Sequence, residues 1–521
     1  MSTAPSPLAE RSADEPAADA LSRQMEWITA VLSLVALALV AFLAARARYY
    51  GYWARLGVAS TRPRLFPLGD TWAAELRRRS PGEALAGLYR RLAPLPAAGV
   101  FLRTTPALLV RDPDVVAAVL DTNFACFADR HMRTRASDSL LRANDLSLMP
   151  GGDGRWASLR GRLAAAVFGD ARTEAAFPSL AAVAGRLAQS LRRAAGIVDV
   201  HDYATRFAID IAASAVFGRP CDALARPQND FSRWVKDRKN PLAEYFLEAM
   251  VMDTVNYRAL TGTRRADYLQ LLIDATKSST QDGVRLRPRQ PQGPAATVAE
   301  AAGPAESFRL GGVELRALPV WYLDSGVETV ASALAFCLHE LALDTPVQAA
   351  VRAEVDATLR HHDGQLSYAA VKHLPYLDTV IAETLRKYPP VETVTRVTNG
   401  EFRVPGFSAT LPRGTLVLVS VLGLHRDPAY FPDPDRFDPD RFREDVRRRR
   451  HPYVYLPFGA GPRACFGNEL ALLILKMAVA AILSEVELRV CYRTKMPLRI
   501  DPTRKIMTPK GGAWLNVLPR D

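Results

Sequence analysis

PFGAGPRACFGNELALLILKMAVAAIL, residues 457–483, joins a turn built from Gly459, Gly461 and Pro462 to a long apolar helix, with Cys465 at the junction. The glycines and proline prescribe a tight irregular loop, and the apolar run behind it has the length and composition of a buried helix. A thiolate at such a helix start meets backbone N–H groups and the positive end of the helix dipole, which lowers its pKa. Arg463 stands where it can meet an anionic group of whatever the cysteine binds. A solitary cysteine is ordinarily a small buried hydrophobe, and its spacing from one arginine and several glycines sets this one apart. The other four, Cys126, Cys221, Cys337 and Cys491, are scattered without a C-x-x-C pair. That argues against a disulfide framework and for a domain facing a reducing compartment.

The pattern Phe458-x-x-Gly461-x-Arg463-x-Cys465-x-Gly467 resembles the haem-binding signature of the cytochromes P-450. The resemblance implies that Cys465 is the axial ligand of haem iron, that Phe458 covers the proximal face, and that Gly467 lets the helix approach the porphyrin. A thiolate ligand pushes electron density onto iron and favours O–O cleavage.

Three further motifs follow the same order as in that family. Glu383 and Arg386 in YLDTVIAETLRKYPP lie at i, i+3 on one face of a helix that must stop before Pro389. Such a pair is commonly exposed and contributes little. The resemblance implies a buried network with an arginine from a later P-x-R-F segment, and of Arg436 and Arg441 the family frame selects Arg441. Upstream, WYLDSGVETVASALAFCLHELAL (321–343) is similar to the helix that crosses the distal side of the haem. There Gly326 would leave space for dioxygen, while Glu328 and Thr329 would deliver protons during its activation. Val330 and Ser325 depart from the usual residues, Asp324 falls about 140° around the helix from Thr329, and Pro319 is expected to start or kink the helix. In RWASLRGRLAAAVF, Trp156 and Arg160 lie at i, i+4. The resemblance makes them, with Arg130 and Arg396, propionate-binding residues, as two buried carboxylates require several cationic donors.

Residues 27–45 contain no charge, near the length a helix needs to cross a bilayer. The segment before them is net acidic, and Arg46, Arg48, Arg55, Arg62 and Arg64 follow. A cleaved signal peptide has the opposite charge order, so the stretch reads as an uncleaved anchor with the rest of the chain on the cytosolic side. The division expected is a non-cytosolic tail (1–26), the anchor (27–45), a basic, proline-containing linker (46–65) and one haem domain (66–521).

The formal charge of +12 comes without any nucleic-acid motif, so nucleic acid is not expected as a partner. The basic run Arg447–Arg450 with His451 reads either as a docking patch for an acidic electron donor or as a solvated loop. Residues 281–307 are rich in Pro, Gly, Ala and Gln and read as a surface connection. His131, His339 and His425 show no metal spacing and read as structural.

The fold class expected is mainly α with a smaller β region, with strands at 101–110, 402–406 and 414–423. The likeness extends over nearly the whole chain after the anchor. It is greatest to arthropod microsomal cytochromes P-450 that metabolise xenobiotics, although the stretch from Gly218 to Asp253 is shorter than usual there. The resemblance implies insertion of one oxygen atom from O2 into a lipophilic substrate, whether xenobiotic or lipid- or hormone-like. Electrons would come from NADPH through NADPH-cytochrome P-450 reductase, with cytochrome b5 as a further partner, at the endoplasmic reticulum membrane. Two rivals stay open: a haem-thiolate enzyme that rearranges an oxygenated lipid without O2, and a haem-containing sink or sensor. By family analogy the pocket wall lies near Phe124, Phe127, Leu146, Tyr322, Val391 and Ile506.

Overall fold

A computed structural model describes residues 15–63, 65–130, 146–151, 154–167, 170–218, 220–237, 240–265, 267–277, 311–405 and 409–520. The connection at 281–307 and His131 lie outside the described residues. Helix dominates, as the sequence predicts.

The first helix, α1 (Glu15–Tyr50), contains the apolar anchor. Its side chains are uncovered, Trp27 being 73% and Leu37 66% exposed, and the helix is long and apolar enough to cross a membrane. The helix does not stop at the end of the apolar run. Its last residue, Tyr50, packs at a tilt against Phe101 (4.8 Å) and meets Phe66 edge-on (5.6 Å), and its hydroxyl accepts from the N–H of Gly69 at 3.0 Å.

The body begins with α2 (Pro81–Arg91), whose start is a capping box between Ser80 and Glu83. Further helices are α3 (Arg155–Val167), α4 (Asp170–Ala194), α5 (Val200–Phe217), α6 (Pro241–Thr261) and α7 (Tyr268–Lys277). Then come α8 (Gly312–Leu343), α9 (Thr345–His361), α10 (Pro375–Lys387) and α11 (Asn468–Glu485). Helix α8 is also long and apolar enough to cross a membrane, but 78% of its apolar window is buried. It is the axis of the helical core, packed along α5 and touched by α6, α7, α10 and α11. It starts at Gly312, seven residues before Pro319, which lies inside it; a proline there does not start the helix as expected.

The strands are β1 (Ala97–Leu102), β2 (Thr105–Val110), β3 (Gly196–Asp199), β4 (Thr393–Val397), β5 (Phe402–Arg403), β6 (Thr410–Leu411), β7 (Leu416–Ser420), β8 (Val486–Arg489) and β9 (Trp514–Pro519). The main sheet has the order β1-β2-β7-β4, with β2 and β7 parallel. The expected strand 101–110 is instead a hairpin of β1 and β2. Arg103 adopts a positive φ of 57° and turns the chain back where the apolar pattern is interrupted. The expected strand 414–423 ends at Ser420, whose hydroxyl caps a short helix, Val421–His425. The residues 402–406 provide only the two-residue β5.

The two largest hydrophobic clusters lie one around α8 and one around the main sheet. The loop carrying Cys465 runs between them, with Phe458 and Phe466 packed on the helical cluster and Leu456 and Ala460 on the sheet cluster. The site therefore sits at a seam whose two walls are built independently.

Candidate active site

The cysteine loop is held by backbone geometry. Gly459 and Gly461 have φ of 72° and 67°, and a Cβ on Gly461 would lie 1.9 Å from the carbonyl oxygen of Leu120. Only glycine fits there. The N–H of Cys465 donates to the carbonyl of Phe458 at 2.8 Å, closing the turn, and α11 begins three residues later. We expect Gly461→Ala to cost about 2 kcal/mol or more, through the disfavoured φ together with the clash. Urea unfolding midpoints and haem content should fall together.

Cys465 is exposed and lines a cavity of about 460 Å3. Desolvation by the protein around the cavity pushes its thiol pKa up, while the N–H of Gly467 and the guanidinium groups of Arg160 and Arg130 pull it down. The expected lowering is thus present in the turn but outweighed by desolvation.

Arg130, Arg160, Arg396 and Arg463 all line the same cavity, together with Trp156, so the structure brings the five together. Arg160 and Arg130 donate to the carbonyls of Ala464 and Arg463. Arg463 is used structurally: its Nε donates to Ala128 (2.8 Å), its Nη2 to Met149 (2.7 Å), and its plane lies 4.0 Å from the Trp156 ring centre. Burial and mutual repulsion lower the pKa of Arg396 to about 9 and that of Arg160 to about 10. The buried Nε of Arg396 has no hydrogen-bond partner among the described residues. Four guanidinium groups around one space, two of them destabilised as cations, fit a ligand carrying buried carboxylates. Among the described residues no group of three or more His, Cys, Asp or Glu side chains is gathered for a metal. An ion held by Cys465 must then bring most of its own ligands, as the iron of a porphyrin dicarboxylate does.

The opposite wall is α8, which contributes Trp321, Tyr322, Ser325, Gly326, Thr329 and Val330 to the cavity lining. The Thr329 hydroxyl donates back to the carbonyls of Ser325 (2.8 Å) and Gly326 (3.2 Å). Asp324 is exposed and outside the lining, as its helical angle predicts. Glu328 is also outside: it follows Gly326 by two residues, about 200° around the helix, and its Oε1 lies 3.6 Å from Arg504. Gly326 and Thr329 thus line the cavity, while Glu328 lies beside it on α8. Leu146, Tyr322 and Val391 line the cavity, whereas Phe124, Phe127 and Ile506 do not. Phe124 packs on Trp156, and Phe127 is buried against Phe402 (4.7 Å). Trp321 was not anticipated, although it adjoins Tyr322; its ring stacks on Phe466 at 5.6 Å.

Behind the loop, Glu383 and Arg386 are fully buried and form a bidentate pair at 2.6 and 2.7 Å. Arg441 Nε lies 3.6 Å from Glu383 Oε1, while Arg436 offers only its carbonyl to Arg386, at 3.3 Å. The choice of Arg441 is therefore the one the structure makes. Arg386 also donates to the carbonyl of His425 at 2.8 Å, and Nε2 of His425 accepts from the N–H of Leu456 at 2.8 Å. Burial holds the imidazole neutral, its pKa lowered to about 3, so it can serve as that acceptor. This is a continuous bonded path from Glu383 to the residue preceding Pro457.

The basic run is only partly available as a docking patch. Arg447 and Arg448 both pair with Glu444, at 2.8 and 2.7 Å. Arg450 lies 4.5 Å from the ring centre of Phe431 and 4.9 Å from that of Phe442, and His451 is 3.2 Å from Asp114.

The family model described as Cytochrome P450 matches residues 77–517. The chain is 30% identical over 515 residues to cytochrome P-450 6k1 of Blattella germanica, covering 93% of this chain and 95% of the relative. It is 30% identical over 509 residues to cytochrome P-450 6A1 of Musca domestica, covering 90% and 94%. Cytochrome P-450 9e2 of Blattella germanica is 29% identical over 504 residues, covering 87% and 91%. With the family model covering most of the chain and relatives matched over nine-tenths of it, the chain belongs to the cytochrome P-450 family.

Proposed function

We propose that the protein inserts one oxygen atom from O2 into lipophilic organic molecules, xenobiotic or lipid- and hormone-like. The observation that carries this is the placement of Cys465 and Thr329 on one largely apolar cavity. Bound there, haem supplies oxygen activation. Cys465 would be its ligand, Arg130, Arg160, Arg396 and Trp156 would hold its carboxylates, and Phe458 and Gly467 would flank it. The chain's own contribution is to orient that group, to exclude water with the walls of Tyr322, Val330 and Val391, and to hold a proton at Thr329 Oγ1. Gly326 keeps the distal wall open beside it.

Electrons would arrive from NADPH through NADPH-cytochrome P-450 reductase, with cytochrome b5 as a second donor. The body would span about 66–521, preceded by the tail 1–26, the anchor 27–45 and the linker 46–65. The acidic tail and basic flank support insertion in the endoplasmic reticulum membrane with the body in the cytosol. Incorporation of isotopically labelled O2 into a lipophilic product, dependent on the reductase, tests the reading. A product whose new oxygen does not come from O2 would favour the rearrangement rival instead. Thr329→Ala should retain haem and ligand binding while the ratio of product to NADPH consumed falls about a hundredfold, the lower end of what a proton-transfer group usually contributes. Unchanged coupling would remove Thr329 from the proton path.

A further inference from the structure

Glu392 is a buried acid that the chemistry above does not use. It stands between Val391 and Thr393, which both line the cavity, immediately before β4, and is 6% exposed. Its Oε1 accepts from the Ser80 hydroxyl at 2.8 Å, and its carbonyl accepts from the N–H of Leu422. Ser80 already belongs to the capping box of α2, donating its N–H to Glu83 Oε2 at 2.9 Å. Two carboxylates therefore converge on one serine. The contact is tight: a Cβ on Gly82 would lie 2.1 Å from the Cβ of Glu392. The groups facing Glu392 are Ser80, the N–H of Gly82 and Glu83 from α2, and Arg426 from beyond the helix Val421–His425. Arg426 is engaged elsewhere, donating to the carbonyl of Lys387 at 2.8 Å and lying 3.6 Å from Asp435.

We infer that Glu392 is a positioning residue for the cavity wall, holding the start of β4 against α2 while protonated and loosening it on ionisation. Its bearing on substrate rests on the reading of the cavity given above; the movement itself does not. Burial is the largest influence on its carboxyl and Glu83 adds to it, outweighing the Ser80 bond, so that the pKa rises from 4.5 to about 7. Because the closed form has the higher pKa, protonation favours closure. The stabilisation is complete below about 4.5 and is lost as pH rises through about 7. For a single linked proton, the opening constant should rise roughly tenfold per pH unit within that window and level off above it.

Hydrogen exchange of amides 391–397 in the haem-loaded full chain, corrected for intrinsic pH dependence, measures that opening. Between pH 5.5 and 7 the native protein should show the rise of about tenfold per unit, with a plateau above, and Glu392→Gln should be flat throughout. Ser80→Ala removes a group that holds the pKa down, so its plateau should begin at higher pH. The inference is overturned if Glu392→Gln keeps the slope, or if Ser80→Ala leaves the plateau where it was. Should Glu392→Gln fail to fold, Ser80→Ala still decides. Exchange does not depend on oxygenation, so a failure of the proposed reaction would leave this result standing, and the reverse holds too.

Discussion

Cys465→Ala should abolish the thiolate-type spectrum of the reduced carbon monoxide complex and reduce oxygenation to background. The side chain is the one cysteine among those lining the cavity. Cys337 is buried in α8, and Cys126, Cys221 and Cys491 are half-buried elsewhere. None can replace it without moving the backbone. Loss of the electron-rich ligand removes the feature that makes this kind of centre cleave dioxygen. Spectra of the purified variant, reconstituted with haem, give the answer directly. A thiolate-type band that persists in Cys465→Ala would mean that another cysteine binds the iron.

The second large effect is expected far from the cavity, at Glu383. Removing its carboxylate leaves Arg386, which is fully buried, and Arg441, 10% exposed, facing each other without an acid between them. Breaking a buried pair by deleting one partner costs about 3–5 kcal/mol. A domain is stable by about 5–15 kcal/mol in total. The bonded path through Arg386 and His425 ends at Leu456, so the loss should reach the cysteine loop before it unfolds the whole body. Glu383→Ala should therefore yield little haem-loaded protein. Arg441→Ala should follow in the same direction, and Arg436→Ala should be nearly normal, because Arg436 takes part only through its carbonyl. Haem incorporation measured for the three side by side tests the argument. Normal loading of Glu383→Ala would show that the pair carries no such load.

The parts of the site that could be read from sequence are those in which spacing alone fixes geometry. Trp156 and Arg160 share a helical face because they are four apart. Glu383 and Arg386 do so because they are three apart, and the glycines around Cys465 permit few loop shapes. What could not be read depends on how separate elements meet. The pairing of Glu328 with Arg504, 176 residues on, is one such meeting. Phe127 has the aromatic character of a pocket wall, but Phe402 covers it. The hairpin at Arg103 falls in the polar break Arg103-Thr104-Thr105, too short to show as a turn beside the two apolar flanks. Glu392 was invisible because nothing nearby in sequence announces Ser80, 312 residues away.

The joint at Tyr50 has a mechanical consequence. A body tied by a loose tether would tumble above the bilayer and present every face to its surroundings. Here the helix continues past the apolar run and is fastened by ring contacts and a hydrogen bond, so an anchor formed by it would be a stalk with little freedom at its base. With α1 inserted in a bilayer as proposed, a donor fixed in the same bilayer would meet the body at a restricted set of heights and angles. Those angles would follow the tilt of the stalk, which responds to the thickness of the lipid.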